Sequence, residues 1–224
     1  WLRFSRKKIN EDQVHIMQNH PIGTNRQDSF GQTKTSLIDR FGVWLSVRNI
    51  KKNLRYLNLP FKALDLGCGF HATLLQQIYP MIKKGTGIDI RINDAIKNDE
   101  KIVFIESTIE NFIAHPTDEY DVVFMISVLE HLWEPQEVLD FCQSHLSNGG
   151  ILMINVPTWL GKVFLEFSAF RLGFSPKIEM DDHKMYYDKK DLWPLLVRSG
   201  FKPSNIQMRY YKFGLNLFSI VRKG

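Results

Sequence analysis

The chain has 224 residues, 44% of them hydrophobic and 24% charged, with a formal net charge of +5. This is a globular balance, and one domain of such length buries roughly 70% of the surface its unfolded chain exposes. No apolar run reaches the ~18 residues that span a bilayer, and two cysteines outside any CxxC, Cys68 and Cys142, exclude a disulfide framework.

Those features fit a reducing cytoplasm. The opening "WLRFSRKKINEDQ" has neither the apolar core nor the cleavage site of a signal peptide, and it lacks an initiator Met, as in a trimmed or partial chain. Residues 1–35 are polar and turn-rich and read as an arm with little core of its own. Its "RFSRKK", with "RNIKKNLR" further on, could present a basic face to nucleic acid or anionic lipid. Plentiful acidic residues elsewhere, and the lack of a nucleic-acid motif, favour a solvated terminus and helix face.

From Ser36 the chain becomes periodic. Leu37, Phe41, Trp44, Leu45, Val47, Ile50, Leu54 and Leu57 mostly fit a helical stripe that Pro60 ends. Then "KALDL", "GTGIDI", "KIVFIE", "YDVVFMIS" and "GILMINV" follow as near-continuous apolar runs, the pattern of strands covered on both faces. Helical pieces separate them at 71–79, near 92–98, near 108–114 and at 135–147. The last has Pro135 in its first turn and "SNGG" as its stop. A second helix group follows: the apolar "WLGKVFLEFSAFRLGF", then "DKKDLWPLLVRSG" with Asp188 as N-cap and Gly200 as stop. "NIQMRYYKF" and "LFSIVRK" flank a short Gly/Asn turn, which predicts a hairpin. The order implies a doubly wound, Rossmann-like α/β fold: a mostly parallel seven-stranded sheet ending in an antiparallel hairpin. Ligands of such sheets sit at the carboxyl ends of the strands, here after Leu66, Asp89, Glu106, Ser127 and Val156.

At the first of those ends stands "ALDLGCGFHATLL". Gly67 and Gly69 allow positive φ and close approach of a ligand to the backbone. "GCGFHA" formally fits GxGxxG/A with Ala72 as the third small residue, and Asp89 ends the next strand about 20 residues on, suited to ribose hydroxyls. The loop alone would suit any nucleotide-type ligand. His71, where a third glycine is common, is expected at the first turn of the helix, pointing outward and leaving the site intact.

"LDLGCG", followed by "GIDI", "YDVVFMISVLEHLWEP" and "LSNGGILMINVP", resembles the class I S-adenosylmethionine-dependent methyltransferases, above all the group containing the ubiquinone-biosynthesis and related small-molecule enzymes. The resemblance covers roughly residues 36–224 as a single domain. It implies S-adenosyl-L-methionine as cofactor. Asp65 would receive the methionine ammonium, Gly67, Cys68 and Gly69 would pass the cofactor, and Asp89 with Ile90 would take the ribose. Thr108 and Ile109 stand where relatives contact adenine, many of them with Asp in place of Thr108. Ser127 stands where the cofactor's methionine end meets the acceptor. Arg40 and Arg48 are alternatives for the cofactor carboxylate.

On the acceptor side the resemblance implies a substrate lid at about 158–187. His131 in "LEH" and His183 in "DDHKMYY" are the base candidates, because imidazole titrates near neutrality. His183, Tyr186 and Tyr187 could together orient a polar acceptor. Three adjacent residues such as Asp181, Asp182 and His183 converge poorly on one ion, so no metal is expected. The implied activity is methyl transfer to a small molecule or biosynthetic intermediate in a bacterial cytoplasm, with a cell-surface saccharide precursor as one acceptor. Alternatives are methylation of RNA, and an inactive cofactor-binding scaffold subunit. The apolar segment 159–178 could instead form an oligomer contact or lie against a membrane surface.

Overall fold

The structure is a computed structural model that describes residues 29–32, 37–55, 57–114, 118–167 and 183–224. A long helix α1 (Leu37–Leu54) precedes β1 (Phe61–Leu66), α2 (Thr73–Ile78), β2 (Ile82–Asp89), α3 (Asp94–Lys97), β3 (Ile102–Glu106), α4 (Ile109–Ile113) and β4 (Tyr120–Ile126). Then come α5 (Pro135–His145), β5 (Leu146–Pro157), α6 (Trp159–Phe167), α7 (Lys189–Arg198), β6 (Ile206–Tyr211) and β7 (Asn216–Arg222).

The seven strands form one sheet in the order β3-β2-β1-β4-β5-β7-β6. β1 to β5 pair in parallel, while β7 runs antiparallel to both β5 and β6. The C-terminal hairpin therefore inserts its second strand against β5 and leaves β6 at the edge. Alternation along each strand sorts side chains into two cores. Leu64, Leu66, Val123, Met125, Leu152 and Ile154 face α5 and α7 with Leu139, Leu192 and Leu196. Ala63, Val122, Phe124 and Met153 face the opposite layer with Ile50, Leu54, Leu75 and Ile78.

Several boundaries shift from the expected ones, each for a local reason. α2 begins at Thr73 and not at His71, because Ala72 is held at φ 44° and cannot belong to a right-handed helix. α5 stops at His145, since "LSNGG" already pairs with β4: Leu146 lies opposite Tyr120, and the register slips before Ile151 meets Val122. The C-terminal end of α1 is core, with Val47, Ile50 and Leu54 buried. Its middle is not: Phe41 is 60% and Trp44 48% exposed. The segment 168–182, which holds half of the expected lid, lies outside the described residues, as do residues 1–28 of the arm.

Candidate active site

The carboxyl ends of the strands open onto a cleft of about 1790 Å³. One half is built by the glycine loop. Gly67 and Cys68 donate backbone N–H to Ile88 O at 2.8 and 2.9 Å, so the loop turns back over the end of β2. Gly67 has φ 74°, and a Cβ there would lie 2.4 Å from Val128 Cγ2. Gly69 has φ 77°, and a Cβ there would lie 3.2 Å from Phe30 O. Gly67 is required by space as well as by φ; at Gly69 the fit is tight and φ decides.

Two carboxylates sit behind this loop. Asp65 is only 2% exposed and lines the cleft, and no group among the described residues donates to its carboxylate. Burial first, and then the negative charge of Asp89, raise its pKa well above the usual range. Asp89 is half-buried. Its Oδ2 accepts from Gly69 N at 2.8 Å, and its Oδ1 accepts from Ile90 N at 2.9 Å and from Ser29 Oγ at 2.5 Å. Cys68 is buried between these charges, and burial with both carboxylates pushes its thiol far up. It is an inert wall, not a nucleophile.

Ile90, Ser107, Thr108 and Ile109 line the same half. The Thr108 hydroxyl is engaged as the N-cap of α4, accepting from Asn111 N at 3.3 Å. His71 is exposed at the rim, edge-on to Phe70, with Asn93 Nδ2 3.5 Å from its Nδ1. It does not block the loop. Of the two arginines, Arg40 lines the cleft, while Arg48 lies outside it over the Trp44 ring.

The second half begins at Ser127, whose φ of 58° turns the chain sharply after β4 while its N–H donates to Asn155 O at 2.8 Å. The "LEH" turn follows. Glu130 is 1% exposed, and its carbonyl accepts from Lys184 N and Met185 N. That ties residues 183–187 across the turn and brings the His131 and His183 rings to 4.8 Å. His183 Nδ1 lies 3.0 Å from the Tyr186 hydroxyl. Tyr187 does not reach the acceptor space: it is buried, and its hydroxyl donates to Leu129 O. Glu130, His131 and His183 offer ligand atoms within 4.8 Å of one another, a set able to hold a divalent cation or to pass a proton. Asp181 and Asp182 lie outside the described residues; the partners of His183 are 52 and 53 positions away in the chain.

Sequence reasoning missed three parts of the wall. Ser29 to Gln32 cross the glycine loop, with Phe70 N donating to Phe30 O at 2.9 Å. Lys212, Leu215 and Asn216 enter from the β6–β7 turn, and Phe41 and Trp44 from α1. An aromatic and a glycine in the otherwise polar "DSFGQ" were the one available hint.

A family model for a methyltransferase domain matches residues 36–204. The chain belongs to that family. With the strand order and glycine loop above, it is a class I, S-adenosylmethionine-dependent methyltransferase. It is 25% identical over 186 residues to a mitochondrial ubiquinone biosynthesis O-methyltransferase of Dictyostelium discoideum, a match covering 73% of this chain and 56% of that protein. The corresponding Escherichia coli O6:H1 protein is 25% identical over 172 residues, covering 71% of this chain and 70% of that one. The Vibrio vulnificus protein is 34% identical over 100 residues, 40% of each chain. The methyltransferase thus spans from under half to about two thirds of the curated relatives it matches. Among solved structures, a plantazolicin methyltransferase in complex with a triazolic desmethylPZN analogue and S-adenosylhomocysteine superposes with a TM-score of 0.64 at 15% identity, over 83% of this chain and 87% of that one. A magnesium protoporphyrin IX methyltransferase from Synechocystis, also with bound S-adenosylhomocysteine, gives 0.60 at 16% identity, over 87% and 91%. Those two likenesses concern the fold. No helix among the described residues is long and apolar enough to cross a membrane.

Proposed function

We propose that this methyltransferase transfers a methyl group from S-adenosylmethionine to a small-molecule biosynthetic intermediate, with the β1–β3 half of the cleft holding the cofactor and the β4–β7 half the acceptor. One observation carries this reading: Asp65, a buried carboxylate without a donor, faces a cleft lined by a glycine loop and a second carboxylate. That donor set fits the cofactor. An ammonium group beside Asp65 would supply the missing positive charge, and the 1,2-diol of a ribose suits Asp89. Arg40 is the better placed arginine for a cofactor carboxylate, since Arg48 lies outside the cleft. Cys68, Ile90, Thr108 and Ile109 supply walls.

When bound, the cofactor supplies an electrophilic methyl group on a sulfonium. The chain's residues then have three tasks: to align the acceptor, to exclude water, and to take up a proton where the acceptor is a hydroxyl. His131 and His183 are the candidates for that proton, at a ring nitrogen of either. The relatives named for ubiquinone biosynthesis and the aromatic wall of Phe41, Trp44 and Phe164 support an acceptor with a flat or apolar body. A phenolic ring and the face of a saccharide precursor both meet that description. Residues 158–187 would then serve as a lid over the acceptor, a role supported by α6, which has Val163 60% and Phe164 52% exposed and lies beside the acceptor half.

Calorimetry with S-adenosylmethionine, S-adenosylhomocysteine and NAD tests the cofactor half: the first two are expected to bind and NAD not to. Product screening with phenolic and sugar-nucleotide acceptors tests the other half. On an acceptor that is turned over, His131→Gln and His183→Gln are each expected to lower kcat about 10²-fold or more if that histidine is the base, with S-adenosylhomocysteine affinity held. An unchanged kcat in both would leave the two rings as braces of the turn.

A further inference from the structure

Lys212 is a cation in an unusual place. It follows β6, in a turn where Lys212, Phe213 and Gly214 have φ of 50°, 59° and 85°. Left-handed backbone at two successive non-glycine residues persists only where the surroundings over-determine it, and such residues gather at functional sites. α6 supplies the constraint. The Thr158 hydroxyl donates to Gly214 O at 2.7 Å, Thr158 N donates to Leu215 O at 3.0 Å, and Gly161 packs where a Cβ would meet Leu215 O at 2.3 Å.

The turn aims the lysine inward, to the cleft wall beside α1. Its Nζ donates to Ser46 Oγ at 3.1 Å. Ser46 gives its single proton to Gly42 O at 3.0 Å, so its two lone pairs receive Lys212 and the Tyr211 hydroxyl 2.9 Å away. Tyr211 is held as a neutral donor, because burial raises its pKa to about 12. Ser46 thus takes one of the three ammonium protons, and the Tyr211 ring lies 5.2 Å from the charge. No carboxylate pairs with Lys212 among the described residues. Burial, with nothing opposing it, lowers its pKa to about 8. Asn216, opposite Tyr211 in the hairpin ladder, lines the same wall, and its side chain makes no hydrogen bond among the described residues.

A partly desolvated ammonium with two spare donors, beside an amide, is a site for an anion. We propose that Lys212, oriented by Ser46 and Tyr211 and joined by Asn216, is an anion subsite that holds a carboxylate or phosphate of the methyl acceptor. The subsite rests on the acceptor reading above. The strand order puts it on the acceptor side: β4 and β5 separate the hairpin from β1, β2 and β3, whose ends carry the cofactor carboxylates. With Phe41, Trp44 and Phe164 on the same cleft, the acceptor has an apolar or aromatic body and an anionic group.

The test reads Lys212 directly in the whole protein. Sparing acetylation with acetic anhydride, followed by peptide mass spectrometry, gives its labelling rate beside that of exposed Lys202. Inorganic phosphate and benzoate are titrated separately at constant ionic strength, each with and without S-adenosylhomocysteine. One or both anions are expected to slow labelling of Lys212 at least ~5-fold and leave Lys202 unchanged, and the anion that protects at the lower concentration tells phosphate from carboxylate. By calorimetry, Lys212→Met is expected to weaken the responding anion roughly 10-fold or more, with S-adenosylhomocysteine affinity within about twofold, while Lys212→Arg keeps the anion within a few-fold. Protection by S-adenosylhomocysteine alone, with no further effect of either anion, would assign Lys212 to the cofactor and overturn the proposal. Labelling unmoved by any of the three would make it a structural cation and overturn it equally. Anion protection in a protein that does not bind S-adenosylhomocysteine would keep the subsite and sink the proposed function instead.

Discussion

Asp89 accepts three hydrogen bonds before any ligand arrives, from Ser29, Gly69 and Ile90. A carboxylate offers about four lone-pair directions, so a ribose diol engages it fully only if the Ser29 hydroxyl yields its place. Two predictions separate these layers. Asp89→Ala is expected to weaken S-adenosylhomocysteine by about 2–3 kcal/mol, or ~30–150-fold, in a protein that still melts cooperatively. Ser29→Ala is expected to leave affinity unchanged or raise it by a few-fold, because it frees an acceptor that the ligand needs. Calorimetry on both variants decides: a large loss in Ser29→Ala would make the serine part of the binding surface and not a competitor. Asp65, Gly67, Gly69 and Asp89 were legible in the sequence because short spacing fixes their relation: two residues to the glycine, one strand to the next acid. Ser29 and Lys212 were not. Their partners lie 60 and 166 positions away, a distance no local pattern encodes.

At the scale of elements, α6 is held by its N-terminus. Thr158 accepts from Gly161 N at 3.0 Å and donates to the hairpin turn, and the Trp159 indole donates to Asp191 Oδ2 at 3.2 Å at the start of α7. Gly161 is the contact point, and any side chain there meets the Leu215 carbonyl. Gly161→Val is therefore expected to push α6 off the turn, at a cost of roughly 1–3 kcal/mol of stability. It should also release Lys212 from Ser46, while S-adenosylhomocysteine binds within a few-fold of the parent. Denaturant melts, the Lys212 labelling rate and calorimetry read the three effects separately. Unchanged stability would mean that α6 does not rest on the hairpin. The sequence marked this helix by its apolar content and not by its anchor, since a glycine required by a distant backbone carbonyl looks like any other glycine. It placed β1 to β5 well, because strands covered on both faces announce themselves as continuous apolar runs. It misjudged the start of α2 because left-handed backbone at Ala72 leaves no mark on composition.

At the scale of the molecule, alternation of strand and helix specified the sheet, and a terminal hairpin specified its antiparallel end. What the fold does with this is to put Asp65 at the meeting of three central strands, where Gly87 of β2 and Phe124 of β4 lie beside it. Burial there makes the charged carboxylate costly, and the nearby Asp89 adds to the cost. The sign of the linkage follows. A carboxyl whose pKa is higher in the folded than in the unfolded state stabilises the fold below its ordinary value near 3.8, and that contribution is lost as pH rises through the elevated folded value. Above that value the ligand-free domain carries a buried charge that a neutral isostere would not. Asp65→Asn is therefore expected to melt on the order of a few degrees above the parent at pH 8 without ligand, with the gap narrowing towards pH 4. Saturating S-adenosylhomocysteine should reverse the order at pH 8, because its ammonium compensates the aspartate and stabilises the parent by mass action while the variant binds weakly. Thermal scans across pH 4–8, with and without ligand, contain the whole test. A variant that melts below the parent at every pH without ligand would show that the carboxylate is already compensated within the protein, and Asp65 would lose its place as the group that awaits a cation.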